Sequence, residues 1–441
     1  MRRTIMTPAW TFPQPRRTRL ANGATLFSHR TRGSALSAVH LVLDLPSEAE
    51  PSGLDGIASI CAKALALGAC HDDQRHFLAE LARLGATMGA RCDDVSIRLT
   101  MEAPKEHIAA ALALIAPALA DPAFPGTEIE RLVHQRLEAI HRSGNDPAAL
   151  AARAVNTRLF TGAGRLSRPR GGTASTVSEI SADQVRAFYA SNVRPENTSI
   201  VLVGDHDPAR LPPDLEPALA AWRGNGVSPA VRNHEPLRPG EPALVHIPGD
   251  HAQTHVAMAG LVPGQSAPEW PAVMVGGFCL GGTVTSRLDQ QLRETNGHSF
   301  GFRARTRPLR ARGVLTVTGA VAPAVTEAAL EDVVAIVERI REEGFTETEC
   351  EAAIRYLRGS ARVQLQTTRS IAAALADQAA YSLADDHLAR LHASLRGVRA
   401  DDASSAVAFT LDPSRCVRVV VGGGGLPAAR VREAFGGTSG H

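Results

Sequence analysis

Gly56-Ile57-Ala58-Ser59-Ile60-Cys61-Ala62-Lys63-Ala64-Leu65-Ala66-Leu67-Gly68-Ala69 is the stretch from which the chain is best read. Ala and Leu dominate it, and both favour the helix. Ile57, Ile60, Cys61 and Ala64 recur at helical spacing, so one face is apolar. Gly68 suits the left-handed turn that closes such a helix. Lys63 is its one charged residue. A buried helix ending at Gly68 is predicted.

Before this helix, residues 1–22 are polar, and strands are expected at 24–29 and 39–45. The second, Val39-His40-Leu41-Val42-Leu43-Asp44-Leu45, is mostly apolar and is expected to be buried on both faces. After it, a short helix at 76–84 and an alternating strand at 96–102 are predicted. Helices follow at 108–119, 129–143 and 148–159, then a loop rich in Gly, Arg and Pro at 161–172. The helix at 181–192 opens with Ser181 and Gln184 at capping-box spacing, and 198–205 is a buried strand. Residues 223–242 have no period and are rich in Gly, Pro and Asn, as a linker is. Beyond them come strands at 243–246 and 255–259, helices at 272–280 and 284–294, and a strand at 313–319. Helices at 325–342, 347–362 and 368–381 and a Val-rich strand at 415–422 complete the second half. The order of elements repeats, which predicts two similar α/β units, 1–222 and 243–441, joined by the linker 223–242.

Composition excludes more than it selects. The 441 residues allow about two to four domains, each able to bury a core. With 47 basic and 45 acidic residues the net charge is +2, which gives no push toward nucleic acid or an anionic membrane. Aromatic residues make up only 4%, too few for base-stacking platforms. The six cysteines form no C-x-x-C pair; Cys61, Cys279 and Cys416 sit in apolar runs, as reduced, buried thiols do. The N-terminus lacks the apolar core of a signal peptide, and no apolar run reaches the length of a membrane span. A cytoplasmic protein is expected. There is no H-x-x-E-H, G-x-S-x-G or P-loop, and the glycine run at 422–425 lacks the Lys of a nucleotide loop.

The opening stretch resembles the G-[LV]-A-H-F-L-E-H-x-L-x-x-G-[ST] helix of the pitrilysin/insulinase-type zinc peptidases. Gly56, Ala58, Leu65 and Gly68 keep its frame, with Ala69 as the small residue after it. The two zinc-binding His and the general-base Glu fall on Ser59, Lys63 and Ala62. Other landmarks follow in order: Asp121-Pro122-Ala123-Phe124-Pro125, Gly172-Thr173 through Tyr189, Arg194-Pro195-Glu196-Asn197, Val203-Gly204-Asp205, Gln253-Thr254 and Leu280-Gly281-Gly282. Ser286-Arg287-Leu288 through Phe300 is similar to the family's S-R-L-x-x-x-L-R-E-x-x-G-x-x-Y run, with Arg293 matching the second Arg and Phe300 replacing Tyr.

The resemblance implies an α+β fold of two homologous half-domains, each a mainly antiparallel sheet packed against helices, together half of a clamshell. It also implies a metal-free chain, because Ser59, Ala62 and Lys63 supply no zinc donors. The third ligand of active members falls near Glu138-Ala139, where Glu138 reads more simply as a solvated helix residue. His134, Glu138 and His141 share a helix face, but only one is a carboxylate and no family role matches them. No catalytic residue and no cofactor are expected in this chain. Arg293, Phe300 and His298 are the expected substrate-binding residues. Phe300 cannot donate to an oxyanion as Tyr would, a contribution of about 2.7–4 kcal/mol per donor. The plainest alternative for Arg293 is a surface ion pair with a neighbouring Glu. The implied partner is a zinc-bearing homologous subunit, forming a heterodimer that cleaves a peptide; a leader peptide of a ribosomally made natural product is one such substrate. A non-enzymatic scaffold or peptide-binding protein of the same fold is the second reading.

Overall fold

The computed structural model describes residues 11–67, 74–160, 165–209, 217, 219–220, 222–223 and 241–436. Strands β1 (Arg16–Arg19), β2 (Thr25–Arg30), β3 (Leu36–Leu43), β4 (Thr87–Cys92), β5 (Ile97–Pro104) and β6 (Thr198–Gly204) form one sheet in the order β1-β2-β6-β3-β5-β4. Strands β7 (Ala243–Ile247), β8 (Thr254–Pro263), β9 (Ser299–Pro308), β10 (Arg312–Val321) and β11 (Val417–Val421) form the other, in the order β7-β11-β8-β10-β9. Apart from β1 the two orders are the same once β7 is set on β2, β8 on β3 and so on. Each sheet has one parallel pair, β2 with β6 and β7 with β11, and is otherwise antiparallel. The chain is thus α+β with two half-domains of one topology, as the repeat predicts. The expected linker, 223–242, lies almost wholly outside the described residues.

The helices fall into the same register. Ile57–Ala66 follows β3 as Trp270–Gly281 follows β8, and Gly126–Ser143 answers to Glu347–Gln364. One helix of each half is exchanged with the other. Thr368–Ala380, from the second half, covers the first sheet; Ile371, Ala372, Leu375 and Ala376 pack on Phe27, Ala38, Val42, Val201 and Val203. Pro147–Leu159, from the first half, covers the second sheet; Ala151, Val155 and Leu159 pack on Ala257, Ala259, Val417, Val419 and Val421. This exchange explains the apolar runs. Val39, Leu41 and Leu43 of β3 enter the first half's own core, while Ala38 and Val42 meet the borrowed helix. A strand covered on both faces must be apolar at nearly every position. Ion pairs border these cores: Arg98 with Asp377 at 2.5 Å, Arg310 with Asp44, and Arg369 with Glu102. Because each half finishes the other, Leu375→Ala is expected to cost about 2–5 kcal/mol and to leave a single unfolding transition, read by urea denaturation.

Most predicted elements are present, within a few residues. Ser181 and Gln184 form the expected capping box. The opening helix stops at Ala66 with Leu67 as its cap; Gly68 and Ala69 lie outside the described residues. Strands β1, β4 and β9 and the helices His387–Ser394, Ala400–Thr410 and Ala428–Gly436 are not anticipated. β4 is short, holds Gly89 and is buried nowhere along its length, so it carries no apolar signal. The expected helix at 284–294 is corrected: 284–286 are not helical, Arg287–Asp289 is one turn, and Gln290–Thr295 is π-helical. Cys61, Cys279, Cys350 and Cys416 are buried free thiols, and Cys70 lies outside the described residues. Among the described residues no helix is long and apolar enough to cross a membrane.

Candidate functional site

The helix Ile57–Ala66 is seated by its N-terminus. The first N–H groups of a helix have no partner within it. Here the Glu50 carboxylate accepts from the N–H of Gly56 at 3.1 Å and of Ala58 at 3.0 Å. Its other oxygen binds the Arg165 guanidinium at 2.5 Å, and Asp55 binds Arg168 at 2.6 Å and Arg165 at 3.4 Å. Arg165 also donates to the carbonyls of Arg168 and Arg170. The glycines of this corner are dictated by contact. Gly56 has φ +102°, and a Cβ there would lie 2.8 Å from the Gly171 carbonyl oxygen. A Cβ on Gly172, at φ +74°, would lie 2.0 Å from the Asp55 oxygen. The Gly172-Thr173 landmark is therefore a docking surface for the helix start, and Thr176 Oγ1 completes it by donating to the Asp55 carbonyl.

The three motif positions have divergent surroundings. Ser59 is half-buried, Ala62 is buried and Lys63 is exposed. A hydroxyl, a methyl and an ammonium offer no donor set for zinc, which needs imidazole, thiolate or carboxylate. Near the expected third-ligand place, Glu138 engages its own helix. It is half-exposed and pairs along its own helix with His134 at 3.3 Å and Arg142 at 3.7 Å. Among the described residues no group of three His, Cys, Asp or Glu is placed to hold a metal ion.

The second-half segment is mounted from two sides. Arg287 forks onto the Glu349 carboxylate at 2.7 and 2.8 Å, donates to the Gly344 carbonyl at 2.7 Å and lies 4.8 Å from the Phe345 ring centre. On the other side Asp289, fully buried, accepts from the Phe302 N–H at 2.8 Å and pairs with Arg303 at 2.5 Å. Between these anchors the backbone takes the π-helical register at Gln290–Thr295, a departure that recurs at functional sites. It turns Arg293 outward, 42% exposed, with Glu294 at 3.4 Å as its ion-pair partner. The surface pair with a neighbouring Glu is thus present in this chain. His298 is half-buried and faces Asp332, Nδ1 to Oδ2 3.1 Å. That contact turns it into a local brace beside Asn296, which donates to the same oxygen at 2.7 Å. Phe300 is 89% exposed at the start of β9. Arg293, His298 and Phe300 therefore follow one another along a single segment, from the π-helix to the start of β9, whereas Ser59, Ala62 and Lys63 lie on the other half.

The Glu50–Arg165–Asp55–Arg168 cluster and the Arg287–Glu349 fork escape a reading by motif. Arg287 sits in the quoted S-R-L run, and its partner has the spacing of a capping box with Thr346. Burial would raise the Glu349 carboxyl, but the Arg287 guanidinium and the Thr346 N–H and hydroxyl outweigh it and hold it at about 2, below its ordinary 4.5. The unfolded chain takes up this proton first, so the stabilisation is complete above pH 4.5 and is lost as pH falls toward about 2. Glu349→Gln is expected to flatten that part of the acid limb in urea unfolding.

Two family models match the chain and together span nearly three quarters of it. One, described as insulinase (peptidase family M16), matches residues 26–168. The other, described as peptidase M16 inactive domain, matches residues 179–357. An uncharacterized zinc protease of Mycobacterium bovis is 27% identical over 378 residues, 81% of each chain, and one of Mycobacterium tuberculosis matches to the same extent. A crystal structure of a peptidase M16 inactive domain from Pseudomonas fluorescens superposes with a TM-score of 0.85 at 22% identity, covering 92% of this chain and 97% of that one. A protease from Helicobacter pylori gives a TM-score of 0.83 at 15% identity, covering 93% of this chain and all of that one.

Proposed function

The chain belongs to the insulinase (M16) family of peptidases, and from that membership we propose that it is the metal-free subunit of a heterodimeric zinc peptidase. In this reading a homologous partner carries the H-x-x-E-H site and the zinc. The two chains close as a clamshell in the cytoplasm around a peptide, with a leader peptide as one candidate. This chain binds and positions the peptide, and Arg293 gives a charge-assisted bond to a main-chain carbonyl or terminal carboxylate. Phe300 supplies an exposed apolar surface beside it, and His298 braces the turn. The observation that carries the reading is the mounting of Arg293. The segment is clamped at Arg287 and Asp289 so that one guanidinium projects outward, in a chain whose own motif positions hold no metal donor.

The relatives named zinc protease act as a guide to chemistry only through that partner, because Ser59, Ala62 and Lys63 cannot perform it here. A scaffold without catalytic duty is the second reading, favoured by Phe300, which has lost the hydroxyl that a transition-state role would use. The test is to purify the chain alone and with the product of a neighbouring gene that carries H-x-x-E-H, then assay peptide cleavage with and without a chelator. The chain alone is expected to be inert and the pair active until zinc is removed. Cleavage by the chain alone overturns the proposal, and a stable pair that cleaves nothing supports the scaffold.

A further inference from the structure

On β9 arginine recurs at every second position. Arg303, Arg305 and Arg307 stand opposite Thr318, Thr316 and Val314 of β10. Opposed residues of an antiparallel pair share a face, and Val314 packs with the borrowed helix Pro147–Leu159. The intervening Phe302 and Ala304 turn the other way, into the second half's helical core. The three arginines therefore belong to the face toward Pro147–Leu159. Between that helix and the sheet lies a cavity of about 490 Å³, with Arg170, Arg307, Asn156, Thr316 and Thr318 in its lining. The charge on this face of the sheet is not balanced. Arg303 is paired with the buried Asp289, and Arg170 and Arg307 share the single carboxylate of Asp94. Arg305 is exposed and has no ion-pair partner among the described residues. The clustered guanidiniums outnumber the carboxylates that answer them, and the walls of a cleft focus such a field.

We propose that this face binds an acidic, extended segment of the peptide substrate, with one carboxylate answering the exposed Arg305 and another, two residues along, the Arg170–Arg307 pair that shares Asp94. Residues two apart on a strand repeat at about 6.8 Å, and the side chains of an extended peptide lying along β9 have the same repeat. The Thr316 and Thr318 hydroxyls and the Asn156 amide supply neutral partners beside them. This names the substrate class for the subunit proposed above and rests on that reading.

The test is fluorescence anisotropy on the full chain without its partner. The probes are an end-capped, dye-labelled decapeptide alternating Glu and Thr, its Gln-for-Glu counterpart, and a labelled oligothymidylate. The Glu peptide is expected to bind about tenfold or more tightly than the Gln peptide at low salt, an advantage that shrinks as salt screens it. Arg305→Glu is expected to erase the preference, and Arg305→Lys to keep most of it. Because the Arg305 side chain is exposed, its variants are expected to melt with the parent. Equal affinity for the two peptides, a preference that survives Arg305→Glu, or tighter binding of the oligothymidylate overturns the inference. The zinc-partner assay is read separately. Acidic selectivity with an inactive pair removes only the subunit reading, and an active pair without selectivity removes only this inference.

Discussion

Arg165→Ala is expected to destabilise the chain by about 3–5 kcal/mol, the range for removing one partner of a buried ion pair. Glu50, Asp55 and Arg165 have side chains only 1%, 3% and 4% exposed. Burial pushes the Glu50 carboxyl up, and Arg165 and the N–H groups of Ala58 and Gly56 pull it down. Without Arg165 the burial cost stands almost unopposed. Glu50 must then take a proton or remain as an uncompensated charge at the seat of the helix Ile57–Ala66. Asp55 keeps Arg168, so the loss centres on Glu50. Glu50→Gln removes the charge but keeps an oxygen for Gly56 and Ala58. The double variant is therefore expected to be more stable than the two single losses summed, in a urea double-mutant cycle. A loss below about 1 kcal/mol in Arg165→Ala would show that water replaces the guanidinium and would end this account of the seat.

The second large effect is expected at Arg293. In the active pair, Arg293→Ala is expected to lower kcat/KM about 10- to 100-fold, the equivalent of losing one hydrogen bond from a charged group. The fold should not register the change. Arg293 and Glu294 are both half-exposed and meet at 3.4 Å, a type of pair that contributes little to stability. Unchanged melting with a fallen kcat/KM locates the role in substrate contact. An unchanged kcat/KM removes Arg293 from the site, and a variant that no longer pairs with the zinc subunit moves its role to the interface. Arg293→Lys is expected to recover part of the rate, because an ammonium keeps the charge but loses the planar fork.

How much of this was legible differs by element. The capping box at Ser181 and the apolar strands β3 and β6 were readable because their causes are local or periodic. β9 was not anticipated, although its alternation of Arg with Phe302, Ala304 and Thr306 is the period of a strand. Its arginines interrupt the apolar pattern that marks a buried strand. The helix expected over 284–294 failed for a different reason. Its composition suits a helix, but Arg287 and Asp289 are held by Glu349 and the Phe302 N–H, and those anchors are met with the backbone in the π-helical register.

By itself the sequence determined that the helix from Gly56 keeps a peptidase frame without zinc donors at Ser59, Ala62 and Lys63. It also determined that the chain repeats its element order. Those properties reside in residue identity and short-range spacing. Only the tertiary structure decided that the halves exchange Pro147–Leu159 and Thr368–Ala380, that Glu50 and Arg165 seat the opening helix, and that Arg293 faces outward. Each of the exchanged-helix and seating contacts joins residues far apart in the chain, and the outward turn of Arg293 depends on clamps from beyond its own segment. Local propensity cannot rank such pairings, because the free energy that selects them appears only when distant surfaces leave water together.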